Sequence, residues 1–315
     1  MAKAVDLKRY RKALVTGGAG FIGSHLCEGL LKEGLEVVVL DNLSMGKKEN
    51  VPEGSTLIVG DVLDFDLVNS IISRGVDIVF HEAAIVSIRE SVKNFYNDAM
   101  NNIMGPLNIL RASIEFKVKK LVYASSMAVY NDNPKHFPVT EDYTKDPMSP
   151  YGLSKLASEN YLSLMAKSND IDIIVLRYFN TFGERQTLTP YVGVITIFIN
   201  KLLRGESPVI FGDGEQTRDF IYVKDIVQAN LKAMNADLHW GVFNVGTGVG
   251  TTVNEIANIL QFKINPKIEP VYTDPKPEEL RYSVADIKKI KAQLNFTPQY
   301  NIEDSIDLVI KQYIT

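Results

Sequence analysis

An α/β fold, built on a doubly wound parallel sheet with a smaller C-terminal lobe, is predicted by three observations along this 315-residue chain. Short apolar strand segments alternate with helical segments through the first half. The strand segments run into polar or small residues at their C-terminal ends. After Asn180 the texture changes, and Pro190, Pro208, Gly212-Asp213-Gly214, Gly246-Thr247-Gly248 and Pro266 break the chain into shorter elements. Apolar strands separated by helices indicate a parallel sheet covered on both faces.

Taken in order, the first strand signal is Ala13-Leu14-Val15-Thr16, and Gly17-Gly18-Ala19-Gly20-Phe21-Ile22-Gly23 follows at once. The next segment is an amphipathic helix with Ile22, Leu26, Leu30 and Leu31 on its apolar side. Gly18, Gly20 and Gly23 fit the spacing G-x-G-x-x-G, and Gly17, Gly20 and Gly23 fit G-x-x-G-x-x-G. Such a turn must be tight, and a pyrophosphate must approach the backbone where the helix N-terminus points its free N–H groups. The second strand, Glu36-Val37-Val38-Val39-Leu40, ends in Asp41. An acid there accepts hydrogen bonds from the adenosine ribose and repels a 2′-phosphate, so it favours NAD over NADP. The first 180 residues therefore read as a Rossmann-type NAD-binding domain.

Later strands end at Asp61, His81 and Ala124, and one more, Asp172-Ile173-Ile174-Val175-Leu176, follows the helix that carries Tyr151. Ligands of such sheets bind outside the carboxyl ends of the strands, so Asp41, Asp61, His81, Ser125 and Ser126 should line one crevice. Residues 181–315 read mainly as a substrate-binding lobe. Within them Phe243-Asn244-Val245-Gly246 reads as another buried strand, so segment 241–247 is expected to rejoin the main sheet.

Composition bounds the function. Hydrophobic residues at 45% with 23% charged describe a soluble globular chain, and no apolar run approaches the length of a membrane span. No signal peptide is apparent, and the basic start from Lys3 to Lys12 reads as a solvated leader. A net charge of −4 leaves no general nucleic-acid footprint, so an anionic ligand must be held by a few local cations. Cys27 is the single cysteine and reads as a small buried hydrophobe in a reducing cytoplasm. His25, His81, His136 and His239 lack metal-ligand spacing, and no metal is expected.

Tyr151 and Lys155 carry the chemistry. Four residues apart in Pro150-Tyr-Gly-Leu-Ser-Lys155, they project from one helix face. A cation beside a phenol favours the phenolate and is expected to lower the tyrosine pKa toward neutrality, making an acid/base pair. Ser125-Ser126 supplies hydroxyls at a strand end of the same crevice.

Eight motifs follow one another in an order that resembles the extended short-chain dehydrogenases/reductases, within them the NAD-dependent sugar-nucleotide epimerases and dehydratases. They are Thr16-Gly-Gly-Ala-Gly-Phe-Ile-Gly23, Asp41-Asn42-Leu43-Ser44, Gly60-Asp61-Val62, His81-Glu-Ala-Ala84, Ser125-Ser126, Tyr151-x-x-x-Lys155, Leu176-Arg-Tyr-Phe-Asn180 and Arg218-Asp-Phe-Ile-Tyr-Val-Lys-Asp225. The resemblance runs from about Lys12 to the end and is strongest to the UDP-hexose 4-epimerases. Gly212-Asp-Gly-Glu-Gln-Thr-Arg-Asp-Phe220 is similar to those acting on N-acetylhexosamines.

The resemblance implies roles. Tyr151 would take the proton of the sugar 4-hydroxyl while hydride passes to NAD, Lys155 would hold the nicotinamide ribose, and Ser126 would bond the same sugar oxygen. The 4-keto sugar would turn over and receive the hydride on its other face. Gly17, Gly20, Phe21, Ile22, Gly23, Asp41, Asn42, Ser44, Ala83, Ala84 and Tyr178 would surround NAD. Asp61 and Val62 would meet the adenine, and Asn102 would support the helix carrying Tyr151. Asn180 and Arg218 would contact the diphosphate, Phe211 the uracil, Arg281 a phosphate, and Val194 and Ser283 would complete the substrate site. His81 would satisfy backbone near the cofactor. A homodimer is implied through two helices, roughly Lys93 to Phe116 and Ser149 to Lys167.

Departures from the pattern are informative. Met127 and Ala128 stand where dehydratases carry an Asp-Glu pair and where a decarboxylase uses glutamate, and neither residue transfers protons. Asn131 replaces a usual glycine, and Lys276 and Glu279 stand where arginine and aspartate usually meet the uridine. Ser283 occupies the place of a bulky residue, often tyrosine, which leaves room for a sugar C2 substituent. Two alternatives carry weight: a UDP-glucuronate 4-epimerase, and an NAD-binding regulatory protein without catalysis. The first needs a cation or hydroxyl cluster for the C6 carboxylate, and none is located. The second is opposed by the intact Ser126, Tyr151 and Lys155.

Overall fold

The computed structural model describes residues 9–130, 138–188, 193–275 and 280–314. His136, Asn131, Pro190, Lys276, Glu279 and the start of the basic leader lie outside the described residues. Strands β1 (Lys12–Thr16), β2 (Glu36–Asp41), β3 (Ser55–Val59), β4 (Ile78–His81), β5 (Lys120–Ser126) and β6 (Asp172–Tyr178) build the first half. They alternate with helices α1 (Phe21–Lys32), α2 (Phe65–Ile72), α3 (Ile88–Lys93), α4 (Phe95–Ala99), α5 (Gly105–Glu115) and α6 (Pro150–Ala166). The second half adds β7 (Asn180–Phe182), α7 (Val194–Leu203), β8 (Val209–Phe211), β9 (Thr217–Arg218), β10 (Phe220–Tyr222) and α8 (Val223–Asn235). It continues through β11 (Trp240–Val245), β12 (Thr251–Thr252), α9 (Val253–Ile264), β13 (Val271–Thr273), β14 (Tyr282–Ser283), α10 (Lys288–Leu294) and α11 (Ile302–Ile314).

Seven strands form one sheet in the order β11-β6-β5-β4-β1-β2-β3. Every pairing in it is parallel, as the apolar strands predict. The strand order reverses at β1, which pairs β2 on one side and β4 on the other. That reversal places the chain after β1 at a topological switch point, where a crevice opens at the strand ends. Two apolar clusters cover the two faces, one around Val15, Leu26, Phe80 and Phe243, the other around Leu14, Val38, Ile109 and Tyr123. A third, around Phe198, Tyr222, Ile256 and Ile306, fills the smaller lobe. β11 pairs β6 from Trp240↔Ile173 to Val245↔Tyr178, so this late segment lies in the main sheet.

The helix expected from Lys93 to Phe116 is not continuous. Asn94 leaves helical geometry and caps α4 with its side chain, and a π-helical stretch, Met100–Met104, precedes α5. An asparagine that hydrogen-bonds the backbone of the next turn competes with helix continuation. Leu110 is buried, while Leu107 and Ile114 pack against the chain's own core. α6 behaves as expected at its start: Ser149 accepts from Gly152 N at 3.1 Å, and Pro150 takes the first helical position. Among the described residues, no helix is long and apolar enough to cross a membrane.

Candidate active site

The glycine turn forms the floor of the crevice. Gly17 has φ +70°, and a Cβ there would lie 2.8 Å from Ala83 N, so both conformation and close approach require glycine. A Cβ on Gly23 would lie 2.8 Å from Gly18 Cα, which lets α1 start hard against the turn. Gly20 is the N-cap of α1 and makes no side-chain cap, so the free N–H groups of the first turn are left to a ligand. Buried Asp41 accepts from Ala19 N at 3.0 Å and Leu43 N at 2.8 Å. Asn42 Nδ2 donates to Asp61 Oδ2 at 2.8 Å, Ser44 N donates to Asn42 Oδ1 at 3.0 Å, and buried Val62 lies beside them. A glycine cradle, a helix N-terminus and an acid at the end of β2 fit NAD. Among the described residues there is no cluster of His, Cys, Asp and Glu that could hold a metal.

The opposite wall comes from β4 and β5. Ser126 ends β5, and its Oγ accepts from Ala128 N at 3.2 Å. Ser125 Oγ instead donates to Glu159 and is committed to the core, so the geometry favours Ser126. Tyr151 and Lys155 are both buried on α6, the Lys155 Nζ 5.9 Å from the Tyr151 ring centroid. Lys155 Nζ donates to Ala124 O at 2.8 Å and stands 4.9 Å from the Tyr123 ring centroid. The pKa expectation is corrected. Burial pushes the Tyr151 phenol up to about 12, and contact with the Ser126 hydroxyl draws it back only in part. Burial likewise pulls Lys155 down to about 8. A dry pocket disfavours phenolate and ammonium alike, and for Tyr151 that cost exceeds what the Ser126 hydroxyl returns.

His81 also departs from expectation, since its Nδ1 pairs with the Thr16 hydroxyl at 2.8 Å rather than with backbone. Burial and the Lys155 charge hold it neutral, at about 3. Asn102 spends its amide on Ile85 N and O, both at 3.0 Å, and on Asp98 at 2.8 Å, so it orders the loop carrying Ala83 and Ala84. Ser158 Oγ donates to Asn102 O at 2.7 Å and Ser154 Oγ to Asp98, tying α6 to this support.

The smaller lobe gathers the other candidates. Arg218 and Ser283 are direct register partners in β9 and β14, and Asn180 N donates to Asp219 O at 3.0 Å. Ser283 is 1% exposed with no hydrogen-bond partner for its hydroxyl among the described residues, and α10 begins five residues later, so it neither faces solvent nor caps that helix. Phe211 and Arg281 line a cavity of about 510 Å³ with Gln216, Thr273 and Pro275. Arg281 forks onto Asp213 at 2.7 and 2.9 Å across its mouth. Val194 opens α7 at the start of the lobe. Arg177, from the Leu176–Asn180 motif, makes a local ion pair: it meets Glu159 at 2.6 and 2.9 Å in the core.

Two acids escaped the sequence reading. Asp219 accepts from Thr247 N and Oγ1, both at 2.7 Å, from Gly248 N at 2.9 Å and from Ala285 N at 3.1 Å, stapling three segments beside Arg218 and Ser283. Glu82 stands in the crevice with its Oε1 accepting from Tyr178 OH at 2.8 Å. The only signal for either was an acid inside an otherwise apolar or small-residue motif.

The profile of the NAD dependent epimerase/dehydratase family matches residues 13–246. The chain belongs to that family. Among solved structures, this epimerase-family chain is similar to a UDP-glucose 4-epimerase of Thermotoga maritima solved with UDP-glucose. The identity is 40%, the TM-score 0.93, and 96% of this chain and 98% of that one are covered. It is similar also to a UDP-N-acetylglucosamine 4-epimerase of Methanobrevibacter ruminantium in complex with UDP-N-acetylmuramic acid, at 39% identity and TM-score 0.92 over 97% and 98% of the two chains. A third, the Thermus thermophilus UDP-glucose 4-epimerase in complex with NAD, is 36% identical with TM-score 0.89 over 96% and 99%. The epimerase-family chain is an NAD-dependent enzyme, and the Rossmann-type fold expected of it is the one observed.

Proposed function

We propose that the enzyme is a UDP-sugar 4-epimerase whose preferred pair is UDP-N-acetylglucosamine and UDP-N-acetylgalactosamine, with UDP-glucose and UDP-galactose as weaker substrates. NAD, when bound, would supply the redox chemistry, as acceptor and then donor of the sugar C4 hydride. Gly17, Gly20, Phe21, Ile22, Gly23, Asp41, Asn42, Ser44, Asp61, Val62, Ala83, Ala84 and Tyr178 would hold it. Tyr151 accepts the proton of the 4-hydroxyl during oxidation and restores it during reduction. Ser126 holds the same oxygen as it changes between alcohol and ketone. Lys155 Nζ lies 5.9 Å from the Tyr151 ring centroid, so its ammonium would favour the phenolate as the proton leaves. Met127 packs against the core and Ala128 is buried, so the neighbouring positions bring no acid for elimination.

The observation that carries the sugar preference is Ser283, a small buried residue whose hydroxyl has no hydrogen-bond partner among the described residues, in strand register with Arg218. A lone buried hydroxyl is costly unless a ligand satisfies it. Incubation with a panel of UDP-sugars, including UDP-glucuronate, and resolution of the C4 epimers tests the assignment. Ser283→Tyr should lower turnover of the N-acetyl pair far more than that of UDP-galactose. Equal losses on both pairs, or none, would remove Ser283 as the gate, and turnover of UDP-glucuronate alone would replace the proposed substrate.

The enzyme is further proposed to be a homodimer through α6 and the α4–α5 stretch. α6 leaves Leu153, Tyr161 and Leu164 exposed at 58%, 49% and 60%, and Phe95, Tyr96 and Met104 are exposed on the α4–α5 stretch. Apolar exposure beyond one helix face marks an association surface. Light scattering at micromolar concentration should give twice the chain mass, and a monomer mass would count against the pairing.

A further inference from the structure

Tyr151 lies in the first turn of α6, where the leading backbone N–H groups have no partner within the helix. Pro150, at the first position, has no N–H to satisfy. Ser149 Oγ takes Gly152 N at 3.1 Å, and Leu153 N, bonded to Ser149 O at 2.9 Å, begins the helical ladder. The N–H of Tyr151 itself is served from another element, 60 residues away in the chain: it donates to Ser91 Oγ at 3.1 Å.

Ser91 is built to receive it. The residue is 1% exposed on α3, and its own hydroxyl proton goes to Ile88 O at 2.6 Å, which leaves the oxygen free to accept. Ser91 N is held by Ser87 O at 2.9 Å, and Ser87 Oγ caps α3 by accepting from Glu90 N at 3.1 Å. α3 follows directly on the loop of Ala83, Ala84 and Ile85. The stretch after it grips the next turns of α6, with Asp98 taking Ser154 Oγ at 2.5 Å and Asn102 O taking Ser158 Oγ at 2.7 Å. At the reactive end the packing is equally close. A Cβ on Gly152 would overlap Ala128 O, and Ala128 N donates to Ser126 Oγ at 3.2 Å. The first turn of α6 is thereby fixed against both the cofactor loop's segment and the turn after Ser126.

We propose that Ser91 is a positioning residue for the epimerase chemistry: by holding the backbone N–H of Tyr151 it sets the acid/base phenol against the cofactor loop. The proposal rests on the epimerase reading. Ser91→Ala leaves a buried donor without a partner at the residue that must move the proton. The kcat should fall about tenfold, since small displacements of a reacting group are costly in rate. KM for the UDP-sugar and NAD content per chain should stay at the parent's, because the groups that would hold them keep their own bonds.

Ser149→Ala is the matched control. It removes a cap from the same helical turn but leaves Tyr151 N on Ser91, so it should lower the melting temperature comparably and spare kcat. Should Ser91→Ala fail to fold, Ser91→Cys fills the same space with a weaker acceptor and serves the comparison. An unchanged kcat in the Ser91 variant overturns the proposal, as does a kcat loss that Ser149→Ala matches at equal loss of melting temperature. A rise in KM at constant kcat overturns it too. Amide hydrogen exchange needs no turnover: Ser91→Ala should speed exchange at Tyr151 while Leu153 stays protected, and equal protection in variant and parent refutes the bond's role. Absence of turnover with every UDP-sugar sinks the epimerase reading instead, and the exchange measurement still decides whether Ser91 holds Tyr151.

Discussion

Tyr151→Phe is expected to lower the epimerisation rate by about 10²–10⁴-fold, the usual cost of losing one general acid/base group. NAD should stay bound, because the ring remains in the pocket and only the proton-carrying oxygen is removed. Most groups that would hold the cofactor, among them Gly17 to Gly23, Asp41 and Asp61, lie outside α6, and Lys155 on α6 is unchanged. The variant should fold as the parent does, since the Tyr151 contact with Ser126 is the chief bond that the oxygen makes. Initial rates on the preferred UDP-sugar, together with NAD released per chain on denaturation, check both halves. A variant within threefold of the parent rate would falsify the assignment of Tyr151.

Glu159→Ala should be the most damaging single change to stability. Glu159 and Arg177 are 4% and 2% exposed, and the same acid takes the Ser125 hydroxyl while the arginine also reaches Tyr130 OH at 2.7 Å and Glu141 O at 3.1 Å. Removing one partner leaves a buried guanidinium uncompensated, which costs about 3–5 kcal/mol. In thermal unfolding this corresponds to a fall of roughly 5–8 °C for a chain of this size. The double variant Glu159→Leu with Arg177→Met removes both charges and should recover much of the loss. If the single variant melts within a degree of the parent, the pair is not the anchor that its geometry implies. The effect reaches the site, because Ser125 precedes Ser126 at the end of β5.

Much of this architecture is legible in local patterns. Parallel strands buried on both faces must be apolar along their length, so Val37-Val38-Val39-Leu40 and Ile173-Ile174-Val175-Leu176 announce themselves. The residue that ends each strand then falls at one edge of the sheet, which is why Asp41, Asp61, His81 and Ser126 could be grouped before any coordinates. Gly17 is legible for a related reason: a turn between strand and helix with a positive φ tolerates little else. The spacing of Tyr151 and Lys155 is likewise a property of one helix.

What depends on several segments at once was not legible. The break at Asn94 turns on a side chain choosing the next turn's backbone over helix continuation. The state of Tyr151 is decided by burial, which no window of sequence reports, and burial reversed the expected direction of its pKa. Glu82 and Asp219 matter through partners 96 and 28 residues away, Tyr178 and Thr247. By itself, then, the sequence determined the parallel sheet, the glycine turn and the shared helix of Tyr151 and Lys155, because period, glycine geometry and helical spacing act within a few residues. The tertiary structure alone decided that Ser125 is bound to Glu159, that Asp219 is held by donors from two other segments, and that Ser283 is buried beside Arg218. Those outcomes are set by desolvation and long-range hydrogen bonds, which exist only once the chain has folded.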